Sequence, residues 1–423
     1  MTATVSRAAT GRAFARASQL VWTDYWFLLA TVVATIVTVD PLEMDLASDT
    51  VLKHLALAIA TPAIILTLIG SGLRASWDEP ERSTGPAALL WPLLGLAIMI
   101  TVGGVYARFL LGIQNSFLTV GLYVFTAYFA AVMVCRSDNP VGLVRVHNRI
   151  ILAGAFIMGL YLAAFYGSRQ VYHEQIFLVI PMAALCFAAR RGTFVRWGGG
   201  LFFLATAWLS QKYTAYLIGL LTAAWVAFFI IVPRAFPLRG LQRSTLVYWF
   251  WLMGGLAVLV FVFLGVNGII ELPTGNVSYR GFTYEQAWNK FLDSPLWGTL
   301  FSVEAVEKFD LYSIDDTNNM LATHSDFLDI LANGGTIGFL LWAIGLWRVV
   351  RIAFSNLLQP AMLDRDWAPH AHALAVMSAA AVVTYVFNPI LLQPSMAYLV
   401  WVNLGLLAGL ALRVGPDGTG LRG

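Results

Sequence analysis

Charge is what this chain has least of. Asp, Glu, Lys and Arg make up 12% of its 423 residues against 59% hydrophobic ones, and the mean hydropathy is +0.73. No soluble domain of this length needs so apolar a composition, and the class it indicates is a polytopic membrane protein. Cysteine is nearly absent too. Cys135 falls at a helix end and Cys186 within an apolar run, which points away from a disulfide framework and from a cysteine metal site. A paired-histidine metal motif, a phosphate-cradling glycine loop and a Gly-x-Ser-x-Gly elbow are all missing, so no metal and no cofactor is expected.

Apolar runs long enough to cross a bilayer as helices fall at about 20–39, 51–72, 87–107, 116–135, 150–168, 176–190, 197–210, 213–233, 245–265, 326–347, 370–390 and 394–412. The expected fold is therefore an all-α bundle of about twelve transmembrane helices. It divides into an N-terminal bundle over 1–265, a large loop over 266–323 and C-terminal helices over 324–423. The first run is long and lacks a small-residue cleavage site, so it reads as an anchor and not as a cleaved signal. With the N-terminus inside, nineteen of the 26 Lys and Arg residues fall in cytoplasmic segments. Lys53, Arg108, Arg169, Lys212, Arg280, Lys290 and Lys308 are left outside. Both termini are then cytoplasmic and the large loop lies on the outer face.

That loop carries eight acidic residues against three basic ones, which excludes a nucleic-acid surface. Within it, Thr283 and Gln286 have capping-box spacing, and Tyr284, Ala287, Trp288, Phe291 and Leu292 recur at helical intervals before Asp293-Ser294-Pro295 ends the helix. The pattern is that of an amphipathic helix on the membrane–water boundary, with Arg280 just ahead of it. Such a helix can also serve only to cap the bundle. Asn276-Val277-Ser278 matches a glycosylation acceptor, a motif short enough to arise by chance.

Past the loop, Leu321 to Trp342 reads LATHSDFLDILANGGTIGFLLW. Thr323 and Asp326 have capping-box spacing, which starts a helix there and puts His324 in its first turn. The positive end of the helix macrodipole favours a neutral imidazole, and a neutral histidine can accept a proton. Asp326 is the alternative base, or the group that orients His324. A lone histidine at a helix end is more simply a headgroup anchor; its neighbours favour function. Gly334 and Gly338 have GxxxG spacing and, like the glycines at 198–200, read as sites of close helix packing.

Three cations lie near the outer membrane edge. Lys212 sits in WLSQKYTAYL between two apolar runs, Arg169 lies in YGSRQVYHEQ beside His173 and Glu174, and Arg280 opens the amphipathic segment. Charges so near hydrocarbon are costly unless paired, although long side chains also snorkel to the headgroups. Together they suit a diphosphate, whose oxygens bind guanidinium and ammonium groups and which needs charge neutralised when it leaves.

The order SQKYTAYL, RGFTYEQAWNKFLDSPLWG, HSDFLDILANGGTIGFLLW resembles the O-antigen ligase and O-antigen polymerase superfamily of bacterial envelope proteins over roughly residues 200 to 350. The carriers are the histidine opening a late helix with glycines behind it, and Arg280, Trp288, Pro295 and Gly298. The resemblance implies a fold related to the membrane glycosyltransferases of the GT-C class, in the bacterial inner membrane with a periplasmic active site. It implies a metal-independent glycosyltransferase that takes a glycan from an undecaprenyl-diphosphate-linked donor and joins it to a sugar hydroxyl. The acceptor is a glycan or lipid-linked sugar, and a chain-length regulator is a candidate partner. His324 then activates the acceptor and Arg280 holds the diphosphate. Where the family usually has a second arginine this chain has Lys212, a point charge without a bidentate fork. Where it often has asparagine after the histidine, this chain has Ser325. Polymerase is the first reading and ligase, with lipid A-core as acceptor, the second. A polysaccharide or solute transporter is the alternative from another class; the scarcity of charge within the apolar runs argues against it.

The arginine bias makes the topology testable. Reporter fusions after Arg243 are expected to report cytoplasm and fusions near Asp310 periplasm; a cytoplasmic signal at Asp310 overturns both the helix count and the outer site.

Overall fold

The computed structural model describes residues 20–40, 52, 54–63, 65–66, 69, 80–112, 117–165, 175–189, 192–235, 274–302, 305–306, 320–321, 325–359, 362–388, 390–391 and 393–414. In chain order the helices are α1 Trp22–Val39, α2 His54–Ala63, α3 Pro80–Val105, α4 Phe117–Arg136, α5 Pro140–Ala164 and α6 Ile176–Ala188. They continue with α7 Thr193–Leu209, α8 Tyr213–Ala235, α9 Thr274–Asp293, α10 Asp326–Asn356, α11 Ala368–Phe387 and α12 Pro394–Val414. One two-residue parallel pairing, β1 Ala305–Val306 with β2 Met320–Leu321, is the strand structure among the described residues.

Eight helices among the described residues, α1, α3, α4, α5, α8, α10, α11 and α12, are long and apolar enough to cross a bilayer. The protein is a multi-pass helical membrane bundle. The apolar runs at 51–72 and 176–190 appear as shorter helices, α2 and α6. The run at 197–210 lies in α7, which has 17 residues, and the run at 245–265 lies outside the described residues.

Helix α12 is the axis of the bundle. A helix apolar on every side must be enclosed, and α12 is buried over almost its whole length, from Pro394 to Ala411. Its closest neighbour is α4. A side chain at Gly405 would stand 2.1 Å from the Ala127 carbonyl oxygen, and one at Gly409 would stand 2.7 Å from that of Ala131. This pair, not Gly334 and Gly338, is the GxxxG contact that brings two backbones together. At Gly334 an added Cβ would meet the Phe301 ring, on the segment after α9, at a tight 3.0 Å, and at Gly338 it would meet the Met99 sulfur at an ordinary 3.7 Å. The glycines at 198–200 do pack closely: a Cβ at Gly200 would meet the Phe187 ring at 2.4 Å.

Contacts sort the helix ends into two groups. At one end, Ser137 donates to Asp24 Oδ2 (3.4 Å), Asn356 donates to the Ala411 carbonyl (2.7 Å), and Arg413 donates to the Ser137 carbonyl (3.4 Å). Arg348 reaches the carbonyls of Ala88 (2.7 Å) and Leu89 (2.9 Å) at this end. Pro92 lies four residues after Ala88 in α3 and has no N–H to give it, so the guanidinium supplies the donor that the proline removed. At the same end Arg234 donates to the carbonyls of Phe187 (2.8 Å) and Ala188 (2.6 Å), capping α6. The other end holds Lys212, Asp326 and the turn between α11 and α12. Residues that the basic-residue pattern puts on one side of the membrane thus meet at one end.

Helix α10 is broken one-third of the way along. Gly335 has φ 58° and ψ −164°, a region open in practice to glycine alone. The helical bonds from Thr336 to Ala332 and from Ile337 to Asn333 are lost, and the segment after α9 replaces both. The N–H groups of Thr299 and Phe301 donate to the carbonyls of Ala332 (3.3 Å) and Asn333 (3.1 Å). The N–H groups of Thr336 and Ile337 donate to those of Pro295 (2.8 Å) and Leu296 (3.1 Å). Thr299 Oγ1 adds a bond to Asn333 Oδ1 (2.7 Å), and Asn333 Nδ2 donates to the Asp329 carbonyl (2.8 Å). Gly298, at φ 60°, is required by the same contact, since a Cβ there would lie 2.5 Å from the Ala332 oxygen. Asp293-Ser294-Pro295 ends α9 as the sequence indicates. Its start differs: α9 begins at Thr274, and Thr283 is fully buried within it instead of capping it.

Gly335→Ala is expected to lower unfolding stability in detergent by about 2 kcal/mol or more, the cost of a side chain in this backbone region together with its 2.4 Å approach to Leu296. Gly338→Ala is expected to change little. Equal unfolding temperatures for the two variants contradict the break.

Candidate functional site

Helix α10 starts at Asp326, with Ser325 as an extended N-cap residue (φ −146°) that makes no side-chain cap bond. The expected capping box from Thr323 is therefore displaced, and His324 precedes the N-cap instead of standing in the first turn. Asp326 has another use. Its Oδ2 accepts from the N–H groups of Ile390 (2.7 Å) and Leu391 (3.1 Å), in the turn between α11 and α12. Ser325 Oγ donates to the Tyr385 carbonyl (3.5 Å) in the last turns of α11. Ser325 and Asp326 are both buried, so the chain directly after His324 is fixed on two sides.

The same turn reaches α8. Asn388 Nδ2 donates to Thr214 Oγ1 (3.3 Å), in the first turn of α8, and Lys212 is the N-cap residue of that helix. Gln211 just before it has φ 54°, a left-handed position that closes the α7–α8 connection within three residues. The junction therefore brings the start of α8, with Lys212, and the start of α10, with Asp326, onto one turn. The start of α8 carries the cation Lys212, whereas the first turn of α10 carries the carboxylates Asp326 and Asp329.

Arg280 lies inside α9 instead of ahead of it, and its side chain is outside the described residues, as are His324 and Arg169 altogether. Helix α9 packs on α10 through Ala287 against Ala332, with Leu328 beside them. Lys290 sits near Asp329 there: burial pushes the Lys290 ammonium below its ordinary pKa, and the Asp329 carboxylate opposes that shift. The outward edge is apolar. Trp288 and Leu292 of α9, and Leu296, Trp297 and Leu300 of the segment after it, are exposed.

Beneath the junction is a small cavity with Ile100, Phe117, Phe301 and Trp401 in its wall. Asp326 and Asp329 also line it. Among the described residues no group of three or more His, Cys, Asp or Glu side chains is arranged to hold a metal ion.

Sequence reasoning missed Asn388 and Thr214, and it did not bring Lys290 and Asp329 together. Asn388-Pro389 is a turn signal that could have been read. Lys290 with Asp329 had no local signal, because the pair is made by docking α9 onto α10.

Asp326 latches this turn, so Asp326→Ala leaves two buried N–H groups without an acceptor and is expected to cost roughly 3 kcal/mol of stability, while Asp326→Asn keeps an acceptor oxygen and costs less. Chemical unfolding in detergent measures both, and an unaffected Asp326→Ala refutes the latch. Neither a protein-family model nor a curated protein sequence matches the chain.

Proposed function

We propose that this protein is a membrane glycosyltransferase of the O-antigen ligase and polymerase type. It joins an undecaprenyl-diphosphate-linked glycan to an acceptor sugar hydroxyl at the periplasmic face of a bacterial inner membrane. The proposal includes about twelve crossings, a GT-C-like bundle and cytoplasmic termini, supported by the arginine distribution. The single observation that carries it is the junction: Lys212 at the start of α8 and the Ser325–Asp326 start of α10, directly after His324, held on one turn. A basic group for a diphosphate and a base for a hydroxyl are what such a transfer needs in one place.

In this reading His324 takes the proton of the acceptor hydroxyl, whose oxygen attacks the anomeric carbon of the donor. The bond from that carbon to the diphosphate oxygen breaks, and Arg280 with Lys212 neutralises the charge on the departing undecaprenyl diphosphate. Arg169 is a further diphosphate contact. Asp326 is committed to two backbone N–H groups, which favours His324 over it as the base. A second lipid-linked repeat unit as acceptor makes the enzyme a polymerase; lipid A-core as acceptor makes it a ligase.

Purified protein supplied with a lipid-diphosphate-linked repeat unit is expected to form lengthened product. His324→Ala abolishes transfer, Arg280→Ala slows it by about 10²- to 10³-fold, and Lys212→Arg is tolerated. Wild-type turnover by His324→Ala together with a dead Asp326→Asn reverses the assignment of the base. No transfer to either acceptor by the wild-type protein refutes the function.

A further inference from the structure

We infer that Asn388 is a positioning residue of this site: through Thr214 it sets where the start of α8, and with it Lys212, stands relative to the start of α10. The inference rests on the glycosyl-transfer reading. Asn388 follows the last residue of α11, and its backbone is extended (φ −147°, ψ 147°) with its N–H closed onto the Thr384 carbonyl (2.7 Å). The chain therefore leaves the helix in a fixed direction, and the side chain, only 9% exposed, crosses to Thr214 Oγ1. Two residues later the backbone turns its Ile390 and Leu391 N–H groups onto Asp326. One short turn thus grips two helix starts, one by a side chain and the other by its backbone. Prolines at 389 and 394 limit how far the turn can yield.

The consequence is geometric. In a two-substrate displacement, the group that holds the donor and the group that activates the acceptor must be kept at a set separation, and a displacement of about 1 Å can cost a hundredfold in rate. Loosening the grip on α8 alone shifts Lys212 while Asp326, and the chain next to His324, stay latched. The loss then falls on turnover and leaves donor affinity nearly intact, because Lys212 keeps its charge.

The test is transfer by the full-length protein with a lipid-diphosphate-linked repeat unit as donor. Asn388→Ala and Thr214→Val are each expected to lower kcat by about ten- to a hundredfold with the donor KM changed less than threefold. Thr214→Ser, which keeps the hydroxyl, restores wild-type kcat. The double variant is no slower than the slower single variant, because both changes remove the same bond. Unfolding temperatures are taken for all four, and if Asn388→Ala does not fold, the Thr214→Val and Thr214→Ser pair decides. Unchanged kcat in the single variants, multiplied losses in the double, or failure of Thr214→Ser to restore turnover overturns the inference and leaves the transferase reading standing. Absence of transfer by the wild-type protein overturns both.

Discussion

A backbone amide in hydrocarbon has no water to turn to, so wherever a membrane helix gives up one of its own hydrogen bonds another part of the protein must replace it. The bundle is organised around a few such replacements. Gly335 interrupts α10, and the segment from Pro295 to Phe301 supplies four bonds for the two that are lost. Pro92 deprives the Ala88 carbonyl of its donor, and Arg348 fills the gap from α10. The carbonyls at the end of α6 are met by Arg234, and the bare N–H groups between α11 and α12 by Asp326. Each repair joins elements far apart in sequence. Cross-linking of this kind fixes the relative height of the helices, which apolar packing between smooth surfaces does weakly.

The buried polar side chains in the core follow the same rule. His147 is fully buried, with its Nδ1 hydrogen-bonded to Thr31 Oγ1 (3.1 Å) and its Nε2 to Asn403 Oδ1 (2.8 Å). Helices α1, α5 and α12 are tied together there, and both ring nitrogens are used in doing so. An intramembrane histidine is a functional candidate by default, yet one with both nitrogens engaged is better explained as a link between helices. His372 takes a bond from the Trp225 indole (3.1 Å), which ties α8 to α11. The buried His147 and His372 thus serve to set helix position.

At the Asp326 end, the helix break and the junction act together. The break lets the segment after α9 weave into α10, which docks α9 on α10 through Ala287 and Ala332. The junction holds the starts of α8 and α10 against one turn. Rigid elements carrying side chains into a shared space give tighter geometry than a free loop can, and two helix starts held by one turn are such a frame. Trp288, Leu292, Leu296, Trp297 and Leu300 are exposed along the outer edge of this docked segment.

Composition and the length of the apolar runs were enough to establish a multi-pass helical bundle, and the arginine pattern anticipated which helix ends meet, since both follow from how single residues partition between water and lipid. The sequence also drew attention to Lys212, Arg280, and the segment from His324 through the paired glycines. It did not reveal what those glycines do. A GxxxG spacing reads the same whether the helix is straight or broken, and only the arrival of Pro295 to Phe301 decides for the break at Gly335, while the close backbone contact falls to Gly405 and Gly409. Nor could a capping-box spacing show that the Asp326 carboxylate is spent on Ile390 and Leu391. That assignment depends on which distant N–H groups lack partners. Local spacing cannot report it, because the need arises only when separate helices are packed together away from water.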